Sequence, residues 1–280
     1  MKRLFFASLL FALAPPAWAQ EHSVEFRQGD AFRGPVKSAR IESAAFVRRD
    51  GRLVEGPRRL VSVINYAPGG KRREQDSYTP DGQLINKTVY VYDDAGNEVE
   101  MSMFDGRGGL RMKKVYRPAA GETLTYNGDE SLRERRVVVT RPDGTQAEVL
   151  TYDGSGALVE RAVNVRDGKT SVWSTYRADG SLKERAVHAL NYGGPHHTEK
   201  ETYAPDGSVA GRRVATSDSG TSDLRAAEEK GDGAPPRKTR DTREYDSRKN
   251  LIKNVQYTWN AEAGEYEPSL VYYSTIEYYR

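Results

Sequence analysis

Apolar and polar residues alternate with a period of two along most of the chain. The alternation is strictest in segment 98–103, and it recurs in segments 157–165 and 251–259, where one basic residue interrupts it. A period of two places successive side chains on opposite faces of a sheet, which is the pattern of a half-buried β-strand. Almost no stretch shows the helical period, and the most helix-prone one, 223–230, is short. The pattern therefore predicts an all-β fold.

Turn signals separate these segments at intervals of about twelve residues. Most are Asp-Gly or Asn-Gly pairs, whose glycine we expect to adopt the positive φ that a tight hairpin requires. These pairs are Asp50-Gly51, Asp81-Gly82, Asp105-Gly106, Asn127-Gly128, Asp143-Gly144, Asp153-Gly154, Asp167-Gly168, Asp179-Gly180 and Asp206-Gly207. Aromatic residues precede many turns, namely Tyr78, Tyr92, Phe104, Tyr126, Tyr152, Tyr176 and Tyr203. We predict an antiparallel β-hairpin repeat array, either an extended twisted meander or a partly closed sheet.

Residues 1–19 have the three parts of a secretory signal peptide. A positive start is followed by an apolar run from Leu4 to Leu13 and by the small-x-small cleavage site Ala17-Trp18-Ala19. The apolar run is shorter than the roughly 20 residues that a membrane-spanning helix needs. We therefore predict a signal peptide helix, cleavage before Gln20, and release into the periplasm or the cell exterior.

The rest of the chain divides by pattern into four parts. Residues 20–33 form a weakly structured leader, and residues 34–215 form the β-repeat array. Residues 216–241 are polar and lack alternation, so we expect a flexible linker or loop there. The pattern resumes in residues 242–280, whose aromatic residues predict C-terminal strands that close the array.

Composition narrows the classes of function. Without the two basic residues of the signal peptide, 41 of the 43 basic residues remain against 40 acidic ones, and the two signs are mixed. This near-neutral balance predicts no nucleic-acid partner. The chain has no cysteine, so it offers neither a lipid-anchoring thiol nor a disulfide. We expect no cofactor, and no stable membrane insertion after signal cleavage.

The segment 90–97, Tyr-Val-Tyr-Asp-Asp-Ala-Gly-Asn, resembles the YD repeat of the RHS family, whose core reads Tyr-x-Tyr-Asp-x-x-Gly followed by Asn or Arg. Partial copies stand at 152–156 and 245–251, and the resemblance covers about residues 75–210 and 243–255. It implies the β-repeat fold.

Large RHS proteins wind such repeats into β-shells around a C-terminal toxin, and this chain departs from them in two ways. It is far too short to enclose a cargo, and it lacks the autoproteolytic Asp-Pro-x-Gly junction. The segment 34–38 and the tyrosine-rich end also resemble small exported proteins with such repeats. The resemblance therefore implies the fold but not toxin delivery.

His196, His197 and Glu199 are weak candidates for a metal site. On a strand, His197 and Glu199 would point the same way and offer nitrogen and oxygen ligands. However, the preceding Gly-Gly-Pro at 193–195 predicts a turn, so a solvated loop is the preferred interpretation. The Gly-Ser-Gly at 154–156 lacks the spacing of a nucleophile elbow. The sequence thus predicts no catalytic residue and a non-enzymatic protein.

The aromatic residues give the best indication of function. Tyr90, Tyr92, Tyr152, Trp173 and Tyr176 are candidates for a surface on which sugars or peptides stack. Aromatic residues also serve ordinary cross-strand packing, which remains the simpler interpretation of their placement.

The leading hypothesis is an exported, non-enzymatic β-repeat protein that binds a protein or carbohydrate at the cell envelope. The alternatives are a structural component of envelope assembly that pairs through an open sheet edge and, less favoured, a metal-dependent hydrolase.

Overall fold

The computed structural model describes residues 32–141, 146–189, 196–218, 224–231 and 237–280. The predicted signal peptide and most of the predicted leader lie outside these residues. Within these ranges, no helix has the length and apolar character needed to span a membrane.

Nineteen β-strands and one short 3-10 turn, Pro118–Ala120, make up the described part of the chain. The strands are β1 Val36–Arg49, β2 Arg52–Glu55, β3 Arg59–Tyr66, β4 Arg72–Tyr78, β5 Leu84–Tyr92, β6 Glu98–Asp105, β7 Leu110–Arg117, β8 Glu122–Asn127, β9 Leu132–Thr140, β10 Gln146–Asp153, β11 Leu158–Asp167, β12 Thr170–Arg177, β13 Leu182–Ala189, β14 His196–Tyr203, β15 Val209–Asp218, β16 Leu224–Gly231, β17 Arg237–Tyr245, β18 Leu251–Asn260 and β19 Glu265–Tyr278. The all-β prediction is confirmed.

Every strand pairing is antiparallel, and most join neighbours in the chain. From β3 to β19 each strand pairs with the next one along the sequence. The first strand, β1, pairs with β3 on one side and with β19 on the other. The order of these pairings is therefore cyclic. The short strand β2 pairs only with the end of β1, Phe46–Arg49, in a separate ladder.

Eight of the described turns share one five-residue geometry. In the turn that begins at Asp153, the Asp153 N–H donates to the Ala157 carbonyl at 2.9 Å, and the Gly156 N–H donates to the Asp153 carbonyl at 3.0 Å. The fourth residue, Gly156, has a positive φ of 87°. The same pair of bonds occurs in the turns that begin at Thr79, Asp93, Asp105, Asn127, Arg177, Ala204 and Asp246. The hairpin repeat thus has one recurring turn type.

The predicted role of the glycine in the Asp-Gly pairs is correct at some turns and wrong at others. Gly82, Gly180 and Gly207 have positive φ, since they occupy the fourth turn position. Gly106, Gly128 and Gly154 occupy the second position instead, and they do not have positive φ. A Cβ on them would lie 2.0 to 2.2 Å from the carbonyl oxygen of a leucine on a neighbouring strand. These three glycines permit a close backbone approach.

The structure also differs from the predicted flexible linker at 216–241. The described parts of this tract contain the end of β15, the whole of β16 and the start of β17, and each is paired on both sides. Backbone pairing with two neighbouring strands overrides the local helical preference of Leu224–Gly231, because strand formation depends more on context than on composition.

The two faces of the sheet differ in burial. One face holds most of the buried strand residues, and we call it the buried face; the other is the open face. The buried members of the buried face are Val36, Ala39, Ile41, Ser62, Ile64, Arg73, Thr88, Thr125, Ala147, Val149, Asn164, Ala186, Asn254 and Ser274. Directly opposed residues on paired strands share a face, so the register assigns a face to the remaining strand residues.

Apolar cores of the described residues flank the pairing of β1 with β19. On the buried face, Ala39, Ile41 and Ile64 form one cluster. On the open face, Ala44, Val255 and Val271 form another. Elsewhere most strand side chains are only half-buried, so the backbone ladder supplies most of the order there.

The Asn250 side chain connects the two ends of the array through hydrogen bonds. It is 1 % exposed and exchanges hydrogen bonds with the backbone of Arg33, through the N–H and the carbonyl. Its Nδ2 also donates to the Tyr278 hydroxyl at 2.7 Å. Next to it, the Tyr279 N–H donates to the Pro35 carbonyl at 2.7 Å. One side chain thus links the first residues before β1 to the end of β19.

We predict that Asn250→Ala lowers the free energy of unfolding by about 2 kcal/mol, because it leaves buried backbone groups of Arg33 without a partner. The control is Asn97→Ala, at the same position of an exposed turn, where the side chain bonds only to Asp93. We expect that variant to change the free energy by less than about 0.5 kcal/mol. Urea unfolding measures both, and equal losses would contradict the role given to Asn250.

Candidate functional site

The structure does not bring the five predicted aromatic residues onto one surface. Tyr90 and Tyr92 on β5 and Trp173 on β12 belong to the buried face, since Tyr90 opposes Arg73 and Trp173 opposes Ala186. Tyr152 and Tyr176 belong to the open face. The predicted stacking surface is therefore divided between two sides of the sheet.

The two tyrosines of the open face pack against arginines of the preceding strands. The Arg135 guanidinium lies 5.4 Å from the ring centroid of Tyr152, and the Arg161 guanidinium lies 5.9 Å from that of Tyr176. In each case the arginine and the tyrosine are directly opposed in the register. These rings serve cross-strand packing, which is the simpler of the two interpretations of the sequence.

Ion pairs accompany this packing across the open face. In each, a glutamate on one strand pairs with a basic residue 13 positions later on the next strand. The pairs are Glu74–Lys87, Glu100–Lys113, Glu122–Arg135, Glu148–Arg161 and Glu199–Arg212. Solvent screens partly exposed pairs of this kind, so each contributes little to stability. Their regular spacing is visible in the sequence, but the turn and aromatic motifs described above do not include it.

A different group of tyrosines converges on the buried face where β3, β5 and β7 end. Tyr66, Tyr92 and Tyr116 stand at or next to the last residue of these alternate strands. The intervening strands β4 and β6 contribute Arg73 and Glu98, and Tyr90 lies one step further in on β5. We call these six residues the tyrosine cluster.

The charged members of the cluster are each matched to a ring. Arg73 is 4 % exposed, and its guanidinium lies 3.9 Å from the ring centroid of Tyr90. Tyr116 forms a hydrogen bond with the Glu98 carboxylate, and burial followed by the negative charge of Glu98 raises the pKa of Tyr116 far above its ordinary value. Tyr116 thus stays protonated and able to donate at any physiological pH.

Contacts with two residues outside the cluster hold Tyr66 in place at its edge. The Phe32 ring packs edge-on against Tyr66 with centroids 6.4 Å apart, and the Tyr279 hydroxyl donates to the Tyr66 carbonyl. Tyr66 is therefore held by residues from both ends of the described chain.

Sequence reasoning found two members of the cluster, Tyr90 and Tyr92, and missed the other four. The spacing of one hairpin between Tyr66, Tyr92 and Tyr116 is a signal that would have found two more. Arg73 and Glu98 carry no such signal, because only the strand register brings them beside the rings.

His196, His197 and Glu199 lie on strand β14 and not in the solvated loop that the sequence favoured, and the described side chains of His197 and Glu199 are not part of a metal site. His197 is exposed, and Glu199 is paired with Arg212, which occupies its carboxylate. The side chain of His196 lies outside what the structure describes. Among the described residues, no group of three or more His, Asp or Glu side chains is placed to hold a metal ion.

The turn aspartates use their carboxylates locally. The Asp153 Oδ1 accepts hydrogen bonds from the backbone N–H groups of Ser155 at 2.9 Å and Ala157 at 3.0 Å. The Ser155 hydroxyl donates to the same oxygen, and these donors lower the pKa of Asp153. Asp206 is bound in the same way by Ser208, and its pKa is also lowered. The carboxylates act as caps of the turns.

Comparison with protein-family models gave no match, and comparison with curated proteins gave none either. Among solved structures, similarity was found to a porin-like protein from Bacteroides uniformis ATCC 8492, at TM-score 0.39 and 9% identity over 86% of this chain and 96% of that chain. A mutant of Rh. blastica porin gave TM-score 0.38 and 12% identity over 86% of this chain and 99% of that chain. A complex of Salmonella typhi OmpF with daunomycin gave TM-score 0.39 and 9% identity over 85% of this chain and 95% of that chain. At these TM-scores the similarity carries no argument about the role of this chain.

We predict that the turn aspartates make stability depend on pH in the acid range. Their pKa values are lower in the folded chain than in the unfolded chain, so their contribution is complete above about pH 4 and is lost as pH falls through the folded values. Replacing two of them, in Asp153→Asn with Asp206→Asn, should lower the melting temperature at pH 7, and the difference from the unsubstituted protein should shrink below about pH 4. A difference that is constant across this range would contradict the assignment.

Proposed function

We propose that this chain is an exported, non-enzymatic β-repeat protein that binds a ligand of the cell envelope through its tyrosine cluster. The observation that carries the proposal is the convergence of four phenol rings, one buried guanidinium and one carboxylate on the buried face. Sites that bind small or extended ligands commonly combine aromatic walls with a few placed polar groups.

The placement of the cluster supports binding in preference to packing. On the open face a single arginine meets one tyrosine, as Arg135 meets Tyr152, whereas the cluster gathers four tyrosines with one arginine and one glutamate. The members of the cluster are half-buried, apart from Arg73, and each stands within two residues of a strand end. Tyr66 also packs against the apolar core of Ala39, Ile41 and Ile64. They present polar and aromatic groups at one end of the sheet.

The sequence supports the location. The signal pattern of residues 1–19 favours release into the periplasm or the exterior, where an envelope glycan or protein is the available partner. The resemblance to YD repeats accords with an exported β-array.

Envelope assembly through an open sheet edge has less support. Among the described pairings, β2 alone has a single partner strand. It is four residues long and carries Arg52 and Glu55 at its ends. Short, charged edge strands are typical of edges that resist pairing.

We predict that removing rings from the cluster strongly weakens binding to envelope material. The test compares Tyr92→Ala with Tyr116→Ala, in one chain, against the control Tyr152→Ala with Tyr176→Ala on the open face. In co-sedimentation with purified peptidoglycan sacculi and outer-membrane vesicles, the first variant should lose retention by about tenfold or more. The control should be retained like the unsubstituted protein.

Circular dichroism establishes that both variants keep their strands. The proposal fails if neither material retains the unsubstituted protein, or if both variants are retained equally.

A further inference from the structure

The tyrosine cluster indicates the chemical class of its ligand, an inference that rests on the proposed function. We propose that the ligand is a neutral oligosaccharide that lies across the ends of β3, β5 and β7. The charges of the cluster, the pairing of its strand edges and the spacing of its rings point to this class.

The cluster carries no net charge that would attract an ionic ligand. Arg73 and Glu98 carry opposite charges, and both are already engaged within the cluster. The guanidinium covers the ring of Tyr90 at 3.9 Å, and the carboxylate accepts the hydroxyl of Tyr116. An anionic ligand would meet the carboxylate of Glu98, and a cationic ligand would meet the guanidinium of Arg73. A neutral ligand avoids both costs, since like charges brought together in a partly buried site repel strongly.

The strand edges are not available to a peptide. Extended peptides bind most readily by adding a strand to an exposed sheet edge, where backbone hydrogen bonds supply the affinity. Each of β3 to β7 is paired on both sides, so its backbone groups are already used. Recognition must therefore come from side chains. Phenol hydroxyls and a carboxylate match the hydroxyl groups of a sugar, and the ring faces match its apolar side.

The rings are too far apart for one sugar. Neighbouring strands lie about 4.8 Å apart, so tyrosines on alternate strands are separated by about 10 Å. Tyr66, Tyr92 and Tyr116 occupy three alternate strands. A ligand that contacts all three must consist of several linked units, and affinity should rise with chain length.

Isothermal titration calorimetry with saccharides of defined length tests this. The neutral probes are maltohexaose, cellohexaose and hexa-N-acetylchitohexaose with their disaccharides, and the acidic probe is a galacturonate hexamer. We expect at least one neutral hexamer to bind about tenfold or more tightly than its own disaccharide and than the acidic hexamer.

Three substitutions test the stacking itself. Tyr92→Ala should weaken binding of that hexamer by about tenfold, and Tyr92→Phe should restore most of it, because the ring face is kept. Tyr152→Ala, on the open face, should leave affinity unchanged. Loss of binding in Tyr92→Phe equal to that in Tyr92→Ala would contradict stacking.

The outcomes separate this inference from the proposed function. Tighter binding of the acidic hexamer, or cluster-dependent binding of a hexapeptide library with no neutral hexamer bound, overturns the ligand class and leaves the binding function standing. If Tyr92→Ala changes neither the retention by envelope material nor the binding of any probe, both the ligand class and the proposed binding function are wrong.

Discussion

The pairing of β1 with β19 is the constraint on which the rest of the structure depends. Every other pairing in the main sheet joins strands that are neighbours in the sequence or, for β1 and β3, nearly so. This pairing alone joins residues more than 200 positions apart, as Ser38 with Glu277. Both apolar cores of the described residues lie beside it, and Asn250 adds buried hydrogen bonds at its end. Each hairpin orders only its neighbouring strands. The pairing of β1 with β19, which we call the seam, joins the first strand to the last in one sheet.

The seam also positions the candidate site. Tyr66 ends β3, the neighbour of β1, and it is held by Phe32 from one terminus and by Tyr279 from the other. From Tyr66 the register passes to Arg73 and then to Tyr90 across adjacent strands. The cluster therefore begins at the seam and extends away from it along the strand ends. A shift of one residue in the register would move its members to the opposite face.

Much of the fold was predictable from the sequence, because turns and alternation are local properties. The strand positions and the spacing of the hairpins follow from them. The face of the sheet on which each side chain lies was less predictable. Glu98 and Glu100 are two residues apart, so alternation alone would place them on the same face. A bulge between them on β6 instead places Glu98 on the face of Tyr92, while Glu100 pairs with Lys113 on the open face. Such bulges, like the pairing of the helix-prone β16, depend on partner strands that no local pattern specifies.

The most direct test of the seam uses the absence of native cysteine. Arg40 and Thr275 are directly opposed on β1 and β19, and both are exposed. Opposed residues of an antiparallel pair lie within reach of a disulfide. Under mild oxidation, Arg40→Cys with Thr275→Cys should form one intramolecular disulfide, detected by mass and by gel mobility. Arg40→Cys with Ile276→Cys, one residue away and on the opposite face, should not. Equal cross-linking of the two pairs, or none in either, would contradict the pairing of the first strand with the last.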